Sequence, residues 1–304
     1  GDHRDLHSFP TRRSSELSGR MTNLVVALQA EARPIIEALD LVQDRPAGIF
    51  PVYCNGDLSL VVSGIGRTHC AAAVTHLFHR TAQRVDQAWL NIGIAGHQQV
   101  PIGSVLLASR ITEHASGRSW YPPYVLDVKL LRSPLVTVDK PERCYPDCCA
   151  YDMEAAGFYQ IACRCSTAEL VQSLKIISDN PGSDLDLAVD EISLLIADQM
   201  SAIKSAVRQL SDLSRVVDTV RAPPDLSSLY LKQWHFTVSQ RHRLTALLSR
   251  LKVRSGRLPN IPGTSECQDA RGVLRWLESK LSALPVNLSV PQGEDAADRD
   301  EQQS

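Results

Sequence analysis

The sequence predicts a three-layer α/β/α domain with a mixed central sheet, followed by a C-terminal helical extension. Short apolar runs, typical of buried strands, alternate with segments whose apolar residues recur at helical spacing. Such alternation indicates strands that are joined by helices and covered on both faces. We expect this catalytic domain to span residues 21–210.

Each predicted element follows from its own pattern. Strands are assigned where Val, Ile and Leu cluster in short runs, and helices where alanine and periodic apolar residues dominate. In chain order the elements are strand 24–28, helix 31–41, strands 50–54 and 58–63, helix 68–80, strand 87–92, a glycine turn at 93–96 and strand 104–111. The remaining elements are a strand around Val136, helix 153–165, strand 174–177 and one long amphipathic helix at 187–210.

The chain changes character after residue 210. Pro223 and Pro224 indicate a linker, and residues 225–257 carry seven Lys or Arg against one acid. Leucines at helical spacing predict a basic amphipathic helix in this segment, and a second helix is predicted at 268–284. The basic helical extension therefore spans residues 225–285.

The two ends of the chain are predicted to lie outside the fold. Residues 1–20 are polar and without period, so we interpret them as a non-native or disordered leader before Met21. Residues 286–304 are acidic and free of aromatic side chains, which predicts a disordered tail.

Composition narrows the class of protein. Hydrophobic residues make up 43% and charged residues 22% of the chain, and the formal net charge of -2 indicates no global attraction to nucleic acid or membrane. No apolar run approaches the roughly 18 residues that a membrane helix needs. We therefore expect a cytoplasmic protein. The eight cysteines are scattered, so we expect reduced thiols, and their spacing completes no zinc pattern.

Two carboxylates stand at element boundaries. Glu154 lies where an alanine-rich helix begins, and Asp179 follows a buried strand. Open α/β sheets bind their ligands at the carboxyl ends of strands, so Asp179 is a candidate site residue. Glu154 alone could also be explained as an acid that stabilises a helix N-terminus by about 0.3–1 kcal/mol.

Five short segments, taken in order, resemble those of the nucleoside phosphorylase superfamily, and are most similar to its 5'-methylthioadenosine/S-adenosylhomocysteine nucleosidase branch. The segments are residues 25–36, 63–66, 91–96, 152–156 and 177–179. Each alone is a weak signal, but five at element boundaries are specific. The resemblance covers residues 21–210 and implies cleavage of the N-glycosidic bond of a purine nucleoside.

The resemblance also implies roles for individual residues. It assigns Asp179 as the general acid to the leaving base, Glu31 as the carboxylate that activates water, and Glu154 as the group that holds the ribose hydroxyls. Met153 would pack beside the sugar. The remaining implied residues are Ser63, Gly64 and Gly66, in the turn that orders the water, and Gly93, Ala95 and Gly96, where the backbone approaches purine and ribose.

Further expectations concern cofactors, partners and reaction type. The resemblance implies no metal or organic cofactor, a small nucleoside as substrate, and a homodimer. An ionised Glu31 would repel phosphate, so hydrolysis is favoured over phosphorolysis. A phosphate-dependent phosphorylase remains an alternative. So does a non-catalytic nucleoside sensor that signals through its C-terminal helices.

Two loops depart from the superfamily pattern. Residues 135–141 stand where the family carries an aromatic that stacks on the base. Residues 115–123 contain Arg118, Trp120 and Tyr121, which are equally consistent with a pocket wall that accommodates a bulkier substrate and with a packed surface loop. Both interpretations stay open.

The basic extension also has two interpretations. Its leucine stripe could dock on the catalytic domain or a partner, leaving the basic face in solvent. Alternatively, its cations and the aromatic residues Trp234 to Phe236 could contact nucleic acid. The first is favoured, because the extension has no nucleic-acid-binding signature.

Overall fold

The computed structural model describes residues 22–44, 48–81, 86–126, 130–183, 187–221, 227–263 and 266–284. The chain divides into two compact units, Gly1–Val217 and Asp218–Ser304. The predicted leader and the predicted acidic tail lie outside the described residues. No helix of the described part is long and apolar enough to cross a membrane.

A mixed sheet forms the centre of the first unit. Its strands are β1 (Thr22–Val26), β2 (Val42–Gln43), β3 (Val52–Asn55), β4 (Leu58–Val62), β5 (Ala88–His97), β6 (Val105–Glu113), β7 (Ser119–Trp120), β8 (Leu131–Thr137), β9 (Ala150–Asp152) and β10 (Val171–Asp179). Strand β1 pairs in parallel with β4 and β5, and β5 pairs in parallel with β10, whereas β6 runs antiparallel to β10. The pairings β5–β10–β6–β8–β9–β5 close a ring, so the sheet curls at this end.

Helices cover both faces of the sheet. They are α1 (Gln29–Ala38), α2 (Arg67–Arg80), α3 (Ala155–Cys165), α4 (Val189–Asp198) and α5 (Met200–Arg221). Alternate residues of β1 face opposite sides, with Val25 in the core beneath α2 and α3, and Leu24 and Val26 in the core beneath α1 and α5. The prediction of a mixed sheet between helical layers is confirmed.

Three predicted elements differ from the structure. Residues 93–96 are not a turn but the interior of β5, because they pair with β10 on one side. Strand β10 is longer than predicted and ends on Asp179 itself. The single helix predicted at 187–210 is two helices, since the backbone at Gln199 leaves helical geometry and ends α4.

The second unit has a hydrophobic core of its own. Helices α6 (Ser227–Gln233), α7 (Val238–Ser255) and α8 (Ala270–Ser282) surround it. The predicted basic amphipathic helix is α7, whose N-cap Thr237 accepts a hydrogen bond from the Gln240 amide and whose C-cap Gly256 is left-handed at φ 67°. Its leucine stripe is buried against α6 and α8, so it is covered within this unit.

Replacing Leu248 tests that core. Leu248 is fully buried, so Leu248→Ala should lower the free energy of unfolding of the second unit by about 2–5 kcal/mol. Urea unfolding followed by tryptophan fluorescence measures the change. Val253→Ala, on the exposed side of the same helix, is the control and should stay within about 0.5 kcal/mol of the parent chain. Equal effects of the two substitutions would contradict the packing described for α7.

Candidate active site

A cavity of about 230 Å³ opens at the carboxyl ends of β1, β5 and β10. Parallel sheets bind ligands at this end of their strands. The lining contains five carboxylates: one from α1, one from the loop between β8 and β9, two from the β9–α3 junction and one from the end of β10. Its described residues are Ala27, Leu28, Glu31, Ile65, Ile94, Ala95, Gly96, Val138, Pro141, Glu142, Tyr145, Tyr151, Asp152, Met153, Glu154, Ser178, Asp179, Leu187 and Ile192.

Glu31 is held by backbone donors in the first turn of α1. One carboxylate oxygen accepts the amides of Ala27 at 3.0 Å and Leu28 at 2.9 Å, and the other accepts the Ile94 amide at 2.9 Å. Burial raises the pKa of Glu31, although these donors and the charge of Lys175 oppose the rise. A raised pKa brings the carboxylate closer to the range in which a general base works at neutral pH.

Lys175 is a buried cation in the middle of β10. Its ammonium lies 2.9 Å from Oδ2 of Asp152, with only 1% of the side chain exposed. Burial lowers the pKa of Lys175, but the negative charges of Asp152, Glu154 and Glu31 outweigh burial and raise it overall. The sequence analysis did not single out this lysine. A charged residue inside an otherwise apolar strand was the available signal.

Gly93 of β5 leaves the space that Glu31 and Lys175 border. Gly93 lies directly opposite Lys175 in the parallel β5–β10 ladder. A Cβ at Gly93 would stand 2.9 Å from Oε1 of Glu31 and 3.4 Å from the Lys175 ammonium. Any side chain at this position would therefore push the two charged groups apart.

Glu154 is the N-cap of α3 and faces the same lysine. Its Oε1 accepts the Gly66 amide at 2.7 Å, in a turn where Gly66 has a φ of 100° that favours glycine. Burial, together with the charges of Asp152 and Glu31, raises the pKa of Glu154 to about 7, against the opposing effect of Lys175. One lysine cannot balance three buried carboxylates, so a proton on Glu154 relieves part of the repulsion.

Asp152 is the structural partner of Lys175. Its Oδ1 accepts the Thr137 hydroxyl at 2.7 Å, and its Oδ2 accepts the Ala155 amide at 2.8 Å. These contacts tie the end of β8 to the start of α3. They hold the carboxylate in place beneath the cavity.

Asp179 lines the cavity from the end of β10. The β5–β10 register shifts between Ile177 and Asp179, and this bulge places Asp179 beside Gly96. The hydroxyl of Tyr145 donates to Oδ2 of Asp179, and the hydroxyl of Ser178 donates to Oδ1. Tyr145 is a second site residue that the sequence analysis missed.

The structure brings together six of the residues that the sequence singled out. The six lining residues are Glu31, Ala95, Gly96, Met153, Glu154 and Asp179. The other four do not line the cavity but support the residues that do. Ser63 donates its hydroxyl to the Gly64 carbonyl at 2.8 Å, Gly64 and Gly66 supply left-handed backbone, and Gly93 makes room for Glu31.

Arg118, Trp120 and Tyr121 do not line this cavity, which corrects the pocket-wall interpretation. Strand β7 folds back on β6, with Trp120 opposite Ile111 and packed against the core beneath α2 and α3. Arg118 lies 3.5 Å from the Glu113 carboxylate, and Tyr121 is exposed. These contacts fit the packed-surface-loop interpretation.

Metal ligands do not cluster in the described part of the chain. No group of three His, Cys, Asp or Glu side chains there could hold a metal ion. All eight cysteines are free thiols.

Removing the lysine charge tests its role in balancing the carboxylates. Lys175→Met should lower the free energy of unfolding by about 3–5 kcal/mol, because it leaves buried carboxylates without their partner. Chemical denaturation at neutral pH measures the loss. Lys204→Met, at an exposed position of α5, makes the same chemical change away from any carboxylate cluster and should have little effect. If Lys175→Met lowered the free energy of unfolding no more than the control does, Lys175 would not stabilise the fold by balancing the carboxylates.

The raised pKa of Glu154 predicts a pH dependence of stability. Its pKa is about 7 in the folded protein, against 4.5 as the ordinary value, so the folded state binds more protons between these limits. The stabilisation that protonated Glu154 provides is therefore present below about pH 4.5 and lost as pH rises through 7. Glu154→Gln should remove this slope while keeping an acceptor for the Gly66 amide.

Urea midpoints measured between pH 4.5 and 8 test that prediction. The parent chain should lose more stability over this interval than Glu154→Gln does. Glu169→Gln, at an exposed position, is the control and should follow the parent. Parallel curves for the parent and Glu154→Gln would contradict the prediction.

Comparison with known proteins identifies the fold. No protein-family model and no curated protein matches the chain. A 5'-methylthioadenosine/S-adenosylhomocysteine nucleosidase from Colwellia psychrerythraea, solved with adenine, is 20% identical, with a TM-score of 0.51 and a match that covers 64% of this chain and 96% of that one. An Arabidopsis thaliana 5'-methylthioadenosine nucleosidase is 19% identical, with a TM-score of 0.53 and coverage of 64% and 99%.

A futalosine hydrolase mutant of Helicobacter pylori has the same arrangement. It is 17% identical, with a TM-score of 0.50 and coverage of 62% of this chain and 99% of that one. Such identities establish the fold alone. The fold that the sequence resemblance implies is confirmed, and the chain has the fold of these nucleosidases.

Proposed function

We propose that the protein is a hydrolase that cleaves the N-glycosidic bond of an adenosine-derived purine nucleoside. The observation that carries the proposal is the placement of three carboxylates, in three different environments, around one cavity at the carboxyl end of the sheet. Glu31, Glu154 and Asp179 face the cavity from α1, the start of α3 and the end of β10. Each position suits one part of the reaction.

Glu31 is assigned to the attacking water. Its carboxylate is fixed by three backbone amides and still has free lone pairs, since a carboxylate offers about four acceptor sites. The nearby Lys175 balances the charge of the carboxylate without lining the cavity itself. Glu31 would accept a proton from water as the bond to the sugar breaks.

Asp179 is assigned to the departing base. Breaking the glycosidic bond leaves negative charge on the purine, and a positioned acid typically accelerates such a step about 100-fold to 10,000-fold. The side chain lies beside Gly96, and Ala95, Gly96 and Asp179 all line the cavity. A neutral purine would then leave after it gains a proton.

Glu154 and Met153 are assigned to the sugar. Both residues belong to the β9–α3 junction and line the cavity. An ionised or neutral Glu154 can accept a hydrogen bond from a ribose hydroxyl, and Met153 offers an apolar contact. Both residues would orient the anomeric carbon toward the water.

The charge of the lining favours hydrolysis over phosphorolysis. Among the described lining residues, none is Arg or Lys, whereas several are acids. A phosphate anion would meet repulsion here and no cationic partner. Water is therefore the better nucleophile for this cavity.

The reaction is tested by incubating the protein with methylthioadenosine, adenosylhomocysteine, adenosine and 5'-deoxyadenosine, each with and without phosphate. We expect free adenine to form from at least one of these compounds without phosphate. Release that requires phosphate would support a phosphorylase instead. No release from any of them would leave a nucleoside-binding sensor as the better account.

Two substitutions test the assigned chemistry. Asp179→Asn and Glu31→Gln should each lower kcat by about 100-fold to 10,000-fold, because each removes one proton transfer. Adenine release measured by chromatography gives the rates. Asp198→Asn and Glu169→Gln, both exposed, repeat the same chemical changes away from the cavity and should retain activity. Full activity in Asp179→Asn would exclude its role as the acid.

A further inference from the structure

The carboxyl group of Asp179 is already engaged by two hydroxyl donors. Tyr145 donates to one oxygen and Ser178 to the other. Ser178 is the neighbour of Asp179 on β10, but Tyr145 arrives from the loop between β8 and β9. A residue from a separate loop therefore contacts the group assigned to the base.

The loop is built around this one side chain. Between residues 139 and 148, Tyr145 is buried with 1% of its surface exposed, while its neighbours are exposed or half-buried. Its ring packs edge-on against Tyr151 with centroids 5.8 Å apart. The anchor of the loop is thus a tyrosine whose polar end points at the site.

The backbone of Tyr145 is unusual for an aromatic residue. Its φ is +44°, in the left-handed region that favours glycine, so this backbone is strained unless the surroundings offset the strain. Burial of the ring, the contact with Tyr151 and the hydrogen bond to Asp179 are the surroundings that hold this conformation. Strain of this kind clusters at functional sites.

Strand β5 leaves space for the pair. A Cβ at Gly96 would stand 2.5 Å from Oδ2 of Asp179 and 2.5 Å from the Tyr145 hydroxyl. The glycine therefore serves the Tyr145–Asp179 contact directly. Tyr145, Gly96 and Asp179 all line the cavity.

We propose that Tyr145 is a positioning residue for the base side of the site: its hydroxyl fixes the orientation of the Asp179 carboxyl. The proposal rests on the proposed nucleoside hydrolysis. Tyr145 acts through Asp179 rather than on the reacting atoms.

The pH effect follows from hydrogen bonding. A hydroxyl donor stabilises the ionised carboxylate, so removal of the donor favours the protonated acid. A general acid works only while it is protonated, and its activity falls as pH rises. Loss of the Tyr145 hydroxyl should therefore move the basic limb of the activity profile to higher pH.

Few other titratable groups face the pair. Glu142 and Arg143 lie on the same loop and act on Tyr145 with opposite signs, and Tyr151 faces it from β9. Burial, followed by the hydrogen bond and charge of Asp179, raises the pKa of Tyr145, so its hydroxyl keeps its proton at neutral pH. On β5 the neighbouring His97 accepts the amides of Gln99 and Val100 at its Nδ1. The residues of α4 and its approach that line the cavity, Leu187 and Ile192, carry no charge.

Tyr145→Phe is the decisive variant, because it removes one oxygen and keeps the buried ring. We expect kcat for adenine release to fall about 10-fold to 100-fold through lost alignment, with KM changed less than about 3-fold. The basic limb of the kcat/KM profile should move to higher pH. Tyr121→Phe, an exposed tyrosine outside the cavity, makes the same chemical change and should leave rate and profile as in the parent chain.

Other results would overturn the assignment. An unshifted pH profile in Tyr145→Phe would mean that the hydroxyl does not govern the acid. A lower KM with unchanged kcat would mean that Tyr145 only competes with the base for Asp179.

A readout without substrate separates this proposal from the proposed function. The carboxyl carbon of Asp179, identified in the ¹³C spectrum by its absence in Asp179→Asn, should change its chemical shift at higher pH in Tyr145→Phe than in the parent chain. If the parent releases no base from any nucleoside, the proposed hydrolysis fails while this measurement still decides the pairing. An identical titration in both proteins would refute it.

Discussion

The site depends on the attraction between the buried ammonium of Lys175 and the carboxylates around it. The ammonium stands beneath the cavity and is attracted by Asp152, Glu154 and Glu31. Without a cation, these carboxylates would repel one another in a region with little water, and at least one of them would be driven to take up a proton or to leave the interior. Even with the lysine, the charges do not cancel, which is why the pKa of Glu154 is raised to about 7.

The sheet supplies the geometry that lets one lysine serve three acids. Parallel pairing of β5 with β10 sets Gly93 opposite Lys175, and the missing side chain leaves the lysine open to Glu31. Further along the same ladder a bulge places Asp179 beside Gly96. The two glycines lie at different positions along one strand, Gly93 beside Glu31 at what we propose is the water end of the site, and Gly96 beside Asp179 at the proposed base end. One strand thus organises both halves of the proposed reaction.

Much of this arrangement follows from sequence patterns, because strands and helices have different apolar periods and carboxylates at strand ends point to a site. The resemblance to the nucleoside phosphorylase superfamily implies that Glu31, Glu154 and Asp179 belong to one site, and all three line one cavity. Glycine usually marks a turn, and the sequence therefore predicts a turn at residues 93–96. In the structure these glycines lie inside a strand, where the absence of a side chain makes room for side chains of neighbouring elements. Lys175 was hidden in an apolar run, since its partners come from α1 and the β9–α3 junction, far away in sequence. Tyr145 lies in a loop without period, where no local pattern predicts which side chain turns inward.

The two ends of the cavity differ in what surrounds their carboxylates: a buried cation at one end and neutral hydroxyl groups at the other. This difference matters for the two proton transfers of the proposed reaction. At the water end a cation keeps an acid-rich cluster in place, and burial raises the pKa of Glu31 toward the range of a general base. At the base end the described neighbours of Asp179 are neutral hydroxyls, so hydrogen bonds rather than a nearby ammonium govern that carboxyl. Neutral hydroxyl donors hold the Asp179 carboxyl without adding a charge, whereas withdrawing Lys175 from its acids would leave buried carboxylates without a cation. In the proposed reaction, the permanent ion pair therefore lies on the side of the attacking water, and the neutral hydrogen bonds lie on the side of the departing base.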